Sequence, residues 1–121
     1  MVAADPANAQ FQNNLAVALI KAGDIKAASS RTTEALSDYT EALRIREQLS
    51  ATAQQDTSIR RDVAEVHMKL GDLSKRTGAN EQALEHYIKA VDTLEPLAAA
   101  IPADAVIRRM LEEALFRASN F

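Results

Sequence analysis

The chain repeats itself with a period of 48 residues, and no other feature constrains its fold as strongly. A shift by one period produces these matches: Gly23 with Gly71, Asp24 with Asp72, Ala35 with Ala83, Tyr39 with Tyr87 and Ala42 with Ala90. A second shift aligns Phe11, Ile59 and Ile107, so the unit begins a third time near the C-terminus. Repetition at such spacing is typical of helical arrays, in which neighbouring units complete each other's core.

Within each unit the apolar residues follow the 3.6-residue period of an α-helix. The stripe on the first predicted helix consists of Phe11, Leu15, Ala18, Leu19 and Ala22. Connections near residues 30–32 and 78–80 are short enough to fold two helices back antiparallel. The pattern predicts five helices, at about residues 9–29, 33–52, 57–77, 81–99 and 105–119.

Polar residues and one proline mark the expected helix ends. Side chains that can accept a hydrogen bond from a first-turn N–H precede the apolar stretches. The candidate caps are Asn8, Asp56 and Asp104 for the first helices of the units, and Thr32 and Asn80 for the second helices. Pro96 removes a helical hydrogen bond, so the fourth helix is predicted to kink or stop near Leu94.

Composition agrees with one small all-α domain spanning residues 1–121. Aromatic residues make up only 4% and Trp is absent, so Ala, Leu, Ile and Val must build the core through closely packed helices. The predicted units are about residues 8–55 and 56–103, followed by a capping or truncated helix at 104–121. The length suits a single domain.

Charge and the lack of cysteine narrow the possible partners. A net charge of −3 argues against nucleic acid as a main partner, because phosphate-binding proteins are expected to be basic. No apolar run reaches the roughly 18 residues of a membrane span, which favours a cytoplasmic protein without membrane contact. The absence of cysteine excludes disulfides and thiolate metal sites.

Residues able to carry catalysis or bind a cofactor are sparse. His67 and His86 fall on different predicted helices, far apart in register, and neither has a further ligand at helical spacing for a metal ion. The serines lack a neighbouring base, and no phosphate-binding glycine loop occurs. The sequence therefore predicts a protein that is not an enzyme and uses no cofactor or metal.

The spacing of small and aromatic residues gives the fold a more specific interpretation. The motif positions are His67, Leu70, Gly71, Gly78, Ala83, Tyr87 and Ala90 in the second unit, and Leu19, Ala22, Gly23, Ser30, Ala35, Tyr39 and Ala42 in the first. This pattern resembles the tetratricopeptide repeat family, although His67 and Leu19 stand where Trp is usual and the period exceeds the usual length of about 34 residues. It is similar to a lengthened type found in bacterial multidomain proteins. We expect Gly23 and Gly71 to let the second helix approach the first closely, with Ala35 and Ala83 facing them across the crossing.

The resemblance implies an α-α superhelix that binds a peptide or a partner protein in a concave groove lined by the first helix of each unit. Carried over by register, the groove positions form an apolar row of Ile20, Met68 and Phe116, a basic row of Lys21, Lys69 and Arg117, and a polar row of Asp24, Asp72 and Asn120. Apolar side chains would supply buried area, and the mixed charges would orient the ligand.

Several alternatives remain open. The apolar row could belong to the core, with each Gly-Asp pair merely ending a turn. The repeats could serve homo-oligomerisation, because the last helix is rich in apolar residues and a homodimer or a longer array would cover it. The pairs Arg60-Arg61 and Arg108-Arg109 could contact an anionic partner or nucleic acid. The groove interpretation further implies a fragment of a larger signalling or regulatory protein.

Overall fold

The computed structural model describes residues 6–52 and 56–120, with side chains from residue 8 onward. These residues form five α-helices and no strand: α1 Pro6–Ala28, α2 Thr32–Thr52, α3 Thr57–Arg76, α4 Asn80–Ala100 and α5 Ala105–Ala118. The prediction of an all-α chain with five helices is confirmed, and the helix bounds agree to within about one turn.

The helices pack as an array of hairpins. Helix α1 pairs with α2 and α3 pairs with α4, while α2 packs on α3 and α4 packs on α5. Helix α3 also touches α5. Side chains of α3 reach α1 as well, from Lys69 to Asp24 and from Arg76 to the carbonyl oxygen of Ala27, so the first helices of successive units adjoin along one side of the array. We call this side, formed by α1, α3 and α5, the first-helix surface.

Two buried clusters run through the array. The first joins α1, α2 and α3 around Tyr39, Ile45 and Leu70, and the second joins α3, α4 and α5 around Leu94 and Ile107. Helix α3 contributes to both clusters, so burial of apolar surface couples the first hairpin to the second and the second to α5.

The glycines of the two hairpins lie against tyrosine rings. A Cβ atom placed on Gly23 would lie 2.6 Å from Cε1 of Tyr39, and one on Gly71 would lie 2.5 Å from Cε1 of Tyr87. The predicted close approach at these glycines is confirmed. The group that occupies the space is the tyrosine ring of the second helix, whereas Ala35 and Ala83 had been expected to face the glycines.

The buried face of α1 differs from the predicted stripe. Phe11 and Leu15 are exposed, whereas Ala16, Ile20 and Ala27 are buried. Apolar residues occur all around α1, so their period does not define one face, and the small side chains that allow close packing decide the orientation. The equivalent of Phe11 in the third unit, Ile107, is buried because it joins the cluster formed with α4.

Two of the predicted N-caps are confirmed. Asp56 accepts hydrogen bonds from the amides of Ser58 and Ile59, and Asp104 accepts from the amides of Val106 and Ile107. The prediction for Asn8 is wrong, because α1 begins earlier, at Pro6, a residue whose fixed φ and missing N–H suit the first helical position. Helices α2 and α4 begin at Thr32 and Asn80 themselves, and the residue before α4, Ala79, provides no side-chain cap.

Pro96 does not end α4, which continues to Ala100. Leu94 and Leu97 on either side of the proline are both buried in the second cluster. Burial of two leucines contributes about 3–6 kcal/mol, which offsets the roughly 3 kcal/mol cost of a proline inside a helix.

Each hairpin loop contains one residue with a left-handed backbone conformation, which is a serine in the first loop and a glycine in the second. Ser30 has φ of 62° and its equivalent Gly78 has φ of 84°. In both loops the following amide donates back to the helix, from Arg31 to Lys26 and from Ala79 to Ser74, each at 2.8 Å. A side chain at such a φ is unfavourable, so Ser30 is a strained position.

Replacing Ser30 with glycine is expected to raise the free energy of unfolding by about 0.5–1 kcal/mol, because glycine adopts positive φ without strain. The reciprocal change, Gly78→Ser, is expected to lower it by about 1 kcal/mol. Urea denaturation of both variants beside the parent chain measures the two effects. Equal effects of the same sign would contradict the shared loop geometry.

Candidate interaction surface

A carboxylate on α1 links the two hairpins through a phenol and an amine. The hydroxyl of Tyr39 on α2 donates to Asp24 Oδ1 at 2.5 Å. Lys69 Nζ on α3 donates to both oxygens of the same carboxylate, at 3.1 and 3.2 Å. One side chain from each of three helices therefore meets at a single carboxylate. We call each set of three a polar clamp.

The same clamp recurs one period later. The hydroxyl of Tyr87 on α4 donates to Asp72 Oδ1 at 2.5 Å, and Arg117 Nε on α5 lies 3.2 Å from that oxygen. Arg117 also contacts Glu113 one turn earlier on α5. Every member of the second clamp lies 48 residues after its counterpart in the first, so the sequence repeat reproduces side-chain contacts as well as helices.

The phenols of the clamps are strong and permanent donors. Burial, followed by the hydrogen bond to Asp24, raises the pKa of Tyr39 well above its usual range, and Tyr87 is raised in the same way by burial and by Asp72. Both hydroxyls are therefore protonated near neutral pH. In both clamps the phenol and the cation contact the same carboxylate oxygen, Oδ1.

Seven of the nine predicted groove residues fall into three groups. Ile20 and Met68 are each only 7% exposed and belong to the core clusters, so the free protein does not present them. The charged residues Lys69, Asp72, Asp24 and Arg117 are brought together, but as partners of one another in the clamps. Phe116 is 66% exposed.

The first-helix surface also leaves one basic position uncommitted. Lys21 is the equivalent of Lys69 and Arg117 in the first unit, and it is exposed. Within the described part of the chain no carboxylate forms an ion pair with Lys21. The basic row thus consists of Lys69, which joins the two hairpins, Arg117, which joins α5 to the second hairpin, and Lys21, which has no ion-pair partner among the described residues.

Two open clefts lie along the first-helix surface. The cleft between α1 and α3 has a volume of about 280 Å³ and is lined by Asp24, Ala27, Ala28, Tyr39, Lys69, Asp72, Leu73 and Arg76. Arg76 in the wall of this cleft donates to the carbonyl oxygen of Ala27 at 3.0 Å. The cleft between α3 and α5 has a volume of about 430 Å³ and is lined by Lys75, Arg109, Glu112, Glu113, Phe116, Arg117 and Asn120. Both clefts have a clamp cation in their walls.

The two histidines, expected far apart, lie in contact. The Nδ1 atoms of His67 and His86 are 3.1 Å apart, and His67 Nε2 lies 4.0 Å from the Glu47 carboxylate. Burial, followed by the nearby His86 and Lys89, lowers the pKa of His67 to about 4. The pKa of His86 is lowered by burial and by Lys89. One neutral ring therefore donates to the other.

The sequence pattern also did not predict that Arg46 is buried. Arg46 on α2 is 5% exposed and donates to the carbonyl oxygen of Asp62 at 3.1 Å and to Glu65 at 2.9 Å on α3. Its equivalent in the second unit is the fully buried Leu94. An arginine at a position that the repeat fills with leucine was the signal that a buried ion pair joins α2 to α3.

No family model, curated protein or solved structure matches this chain. None of the helices in residues 6–52 and 56–120 combines the length and apolarity needed to cross a membrane. Among the same residues, no group of three or more His, Asp or Glu side chains is arranged to hold a metal ion.

Proposed function

We propose that the chain is a non-enzymatic protein–protein interaction module of the tetratricopeptide type, which binds a peptide or a partner protein along the first-helix surface. The observation that carries the proposal is the pair of polar clamps, which repeat on this surface beside two clefts. Clamped helices form a rigid surface, and a surface fixed before binding loses little conformational entropy when a ligand docks.

The clamps also suggest the chemistry of the ligand. Asp24 and Asp72 already pair with cations, so a ligand is not needed to neutralise them. Lys21 is the cation that a partner can engage, and Phe116 offers exposed apolar area. A segment with an acidic group near α1 and an apolar side chain near α5 fits this distribution.

The proposal also concerns the larger protein to which such a module would belong. A cytoplasmic module of the lengthened bacterial type would form part of a larger signalling or regulatory protein, and the first-helix surface would recruit its partner. A second candidate function, homo-oligomerisation, is favoured by the exposed apolar residues Val106, Leu115 and Phe116 of α5. Both functions involve Phe116 on α5, whereas Lys21 and the first clamp, which lie outside α5, belong to the groove alone.

A matched pair of charge reversals tests the groove. A peptide ligand is first selected against the protein from a random display library, and its affinity is measured by calorimetry. Lys21→Glu is expected to weaken that affinity at least about tenfold, equivalent to about 1.4 kcal/mol. Lys89→Glu, an exposed lysine on α4, is expected to leave the affinity unchanged. A loss of affinity with Lys89→Glu alone, or an equal loss of affinity with both variants, would place the ligand outside the first-helix surface.

A further inference from the structure

The outer face of α5 carries a stripe of four exposed residues. Ala105, Arg109, Glu112 and Phe116 are spaced by four, three and four positions, which places them on one side of a helix. All four are exposed. The buried residues of α5, Ile107 and Ala114, lie on the opposite side and face α4 and α3. The α5 stripe therefore lies on the side of the helix away from its buried residues, and Arg109, Glu112 and Phe116 of the stripe also border the cleft between α3 and α5.

The charges of the stripe are not used inside the chain. Neither Arg109 nor Glu112 forms an ion pair or a side-chain hydrogen bond among the residues that the structure describes. In contrast, the neighbouring Arg117 contacts both Asp72 and Glu113. The stripe thus presents one free cation, one free anion and a large apolar ring.

The face repeats only in part the surfaces that receive a second helix in the complete hairpins, because Phe116 is the equivalent of the buried Ile20 and Met68 but two other positions differ. Ala16 and Ala64 are fully buried there, whereas the equivalent on α5 is Glu112. Gly71 admits a tyrosine ring, whereas its equivalent is Ser119, whose Cβ would occupy that space. A further helix of the repeat type does not fit α5 in this register.

A second copy of the same stripe is complementary when it runs antiparallel. Alignment about a point between residues 110 and 111 sets Arg109 against Glu112 of a second copy, and the two-fold axis creates the same contact again. Ala105 then lies opposite the ring of Phe116, which pairs a small side chain with a large one. A parallel pairing would place arginine on arginine and glutamate on glutamate, which is repulsive.

We infer that α5 is a dimerisation helix, through which two copies of this chain associate antiparallel by their α5 stripes. The contact is a single helix of 14 residues on each side, so its area is small and the dimer is weak and reversible. The inference rests on the second candidate function, homo-oligomerisation, and its stripe shares Phe116 with the proposed groove. The two are distinguished by their variants, since groove binding is tested at Lys21 on α1 and dimerisation at Arg109 and Glu112 on α5.

Charge reversals in the stripe test the inference by sedimentation equilibrium from about 10 µM to 1 mM, the range of a weak interface. The parent chain is expected to show a monomer–dimer equilibrium. Arg109→Glu alone and Glu112→Arg alone each place like charges opposite each other, so each is expected to weaken dimerisation at least about tenfold. Circular dichroism checks that both variants keep their helices.

Two rescues distinguish pairing in the stripe from a general effect of charge. The double variant Arg109→Glu with Glu112→Arg restores both opposite-charge contacts, so it is expected to dimerise like the parent chain. A mixture of the two single variants is expected to form a heterodimer, because the acidic stripe of one meets the basic stripe of the other. A parent chain that stays monomeric at 1 mM overturns the inference. Unchanged dimerisation of the single variants overturns it as well, and so does a failure of both rescues to restore dimerisation.

Discussion

Replacing Gly71 with alanine is expected to lower the free energy of unfolding by about 2–3 kcal/mol and the melting temperature by on the order of 10 °C. The added Cβ would lie 2.5 Å from Cε1 and 2.7 Å from Cδ1 of Tyr87. The ring cannot move aside easily, because Tyr87 is 1% exposed and its hydroxyl is bound to Asp72. Overpacking therefore outweighs the gain of up to about 1 kcal/mol in helix propensity.

A double-mutant cycle supplies the control for Gly71→Ala. In a Tyr87→Leu background the ring is gone, and the same change is expected to be neutral or stabilising because only the helix propensity remains. Urea unfolding of the four chains measures the coupling. A cost for Gly71→Ala that persists in the Tyr87→Leu background would show that the ring is not what excludes the methyl group.

Stability is expected to fall by about 2 kcal/mol between pH 7.5 and pH 5, because of His67. The folded-state pKa of His67, about 4, lies below the value of about 6.5 for an unfolded histidine. The unfolded chain therefore binds more protons as pH falls through 6.5, and the stabilisation present above that value is lost progressively down to pH 4. The groups facing the ring are Glu47 from α2 and His86 and Lys89 from α4.

The variant His67→Leu isolates this effect, because leucine is the equivalent residue in the first unit, Leu19. Its free energy of unfolding, measured in urea at both pH values, is expected to change much less than that of the parent chain. The carboxylates of the chain remain in the variant and serve as an internal control. The same pH dependence with and without His67 would assign the effect to other groups.

The repeat period made the backbone predictable. Gly23 and Gly71 were recognised as sites of close helix approach because glycine recurs one period apart at the same motif position of each unit. Asp56 and Asp104 were recognised as caps because a short acceptor stands before each apolar stretch. Such features are local in sequence, and local geometry determines them.

Contacts between helices could not be derived in the same way. The register placed Asp24, Lys69, Asp72 and Arg117 on one surface, but did not show that they pair with one another. Those pairs are separated by 45 residues, and their distance depends on how one hairpin sits on the next. The contact between His67 and His86 depends similarly on the offset between two antiparallel helices, which the 3.6-residue period leaves undetermined.

In both hairpins a glycine of the first helix packs against a tyrosine ring of the second helix, and the geometry of the first-helix surface depends on this contact. Nuclear Overhauser spectroscopy tests it directly, because the chain has only two tyrosines and three phenylalanines. Cross-peaks are predicted from the Gly23 Hα protons to the Tyr39 ring and from the Gly71 Hα protons to the Tyr87 ring, with upfield ring-current shifts of those protons. A folded helical chain that lacks these cross-peaks, with both glycines at ordinary shifts, would contradict the account.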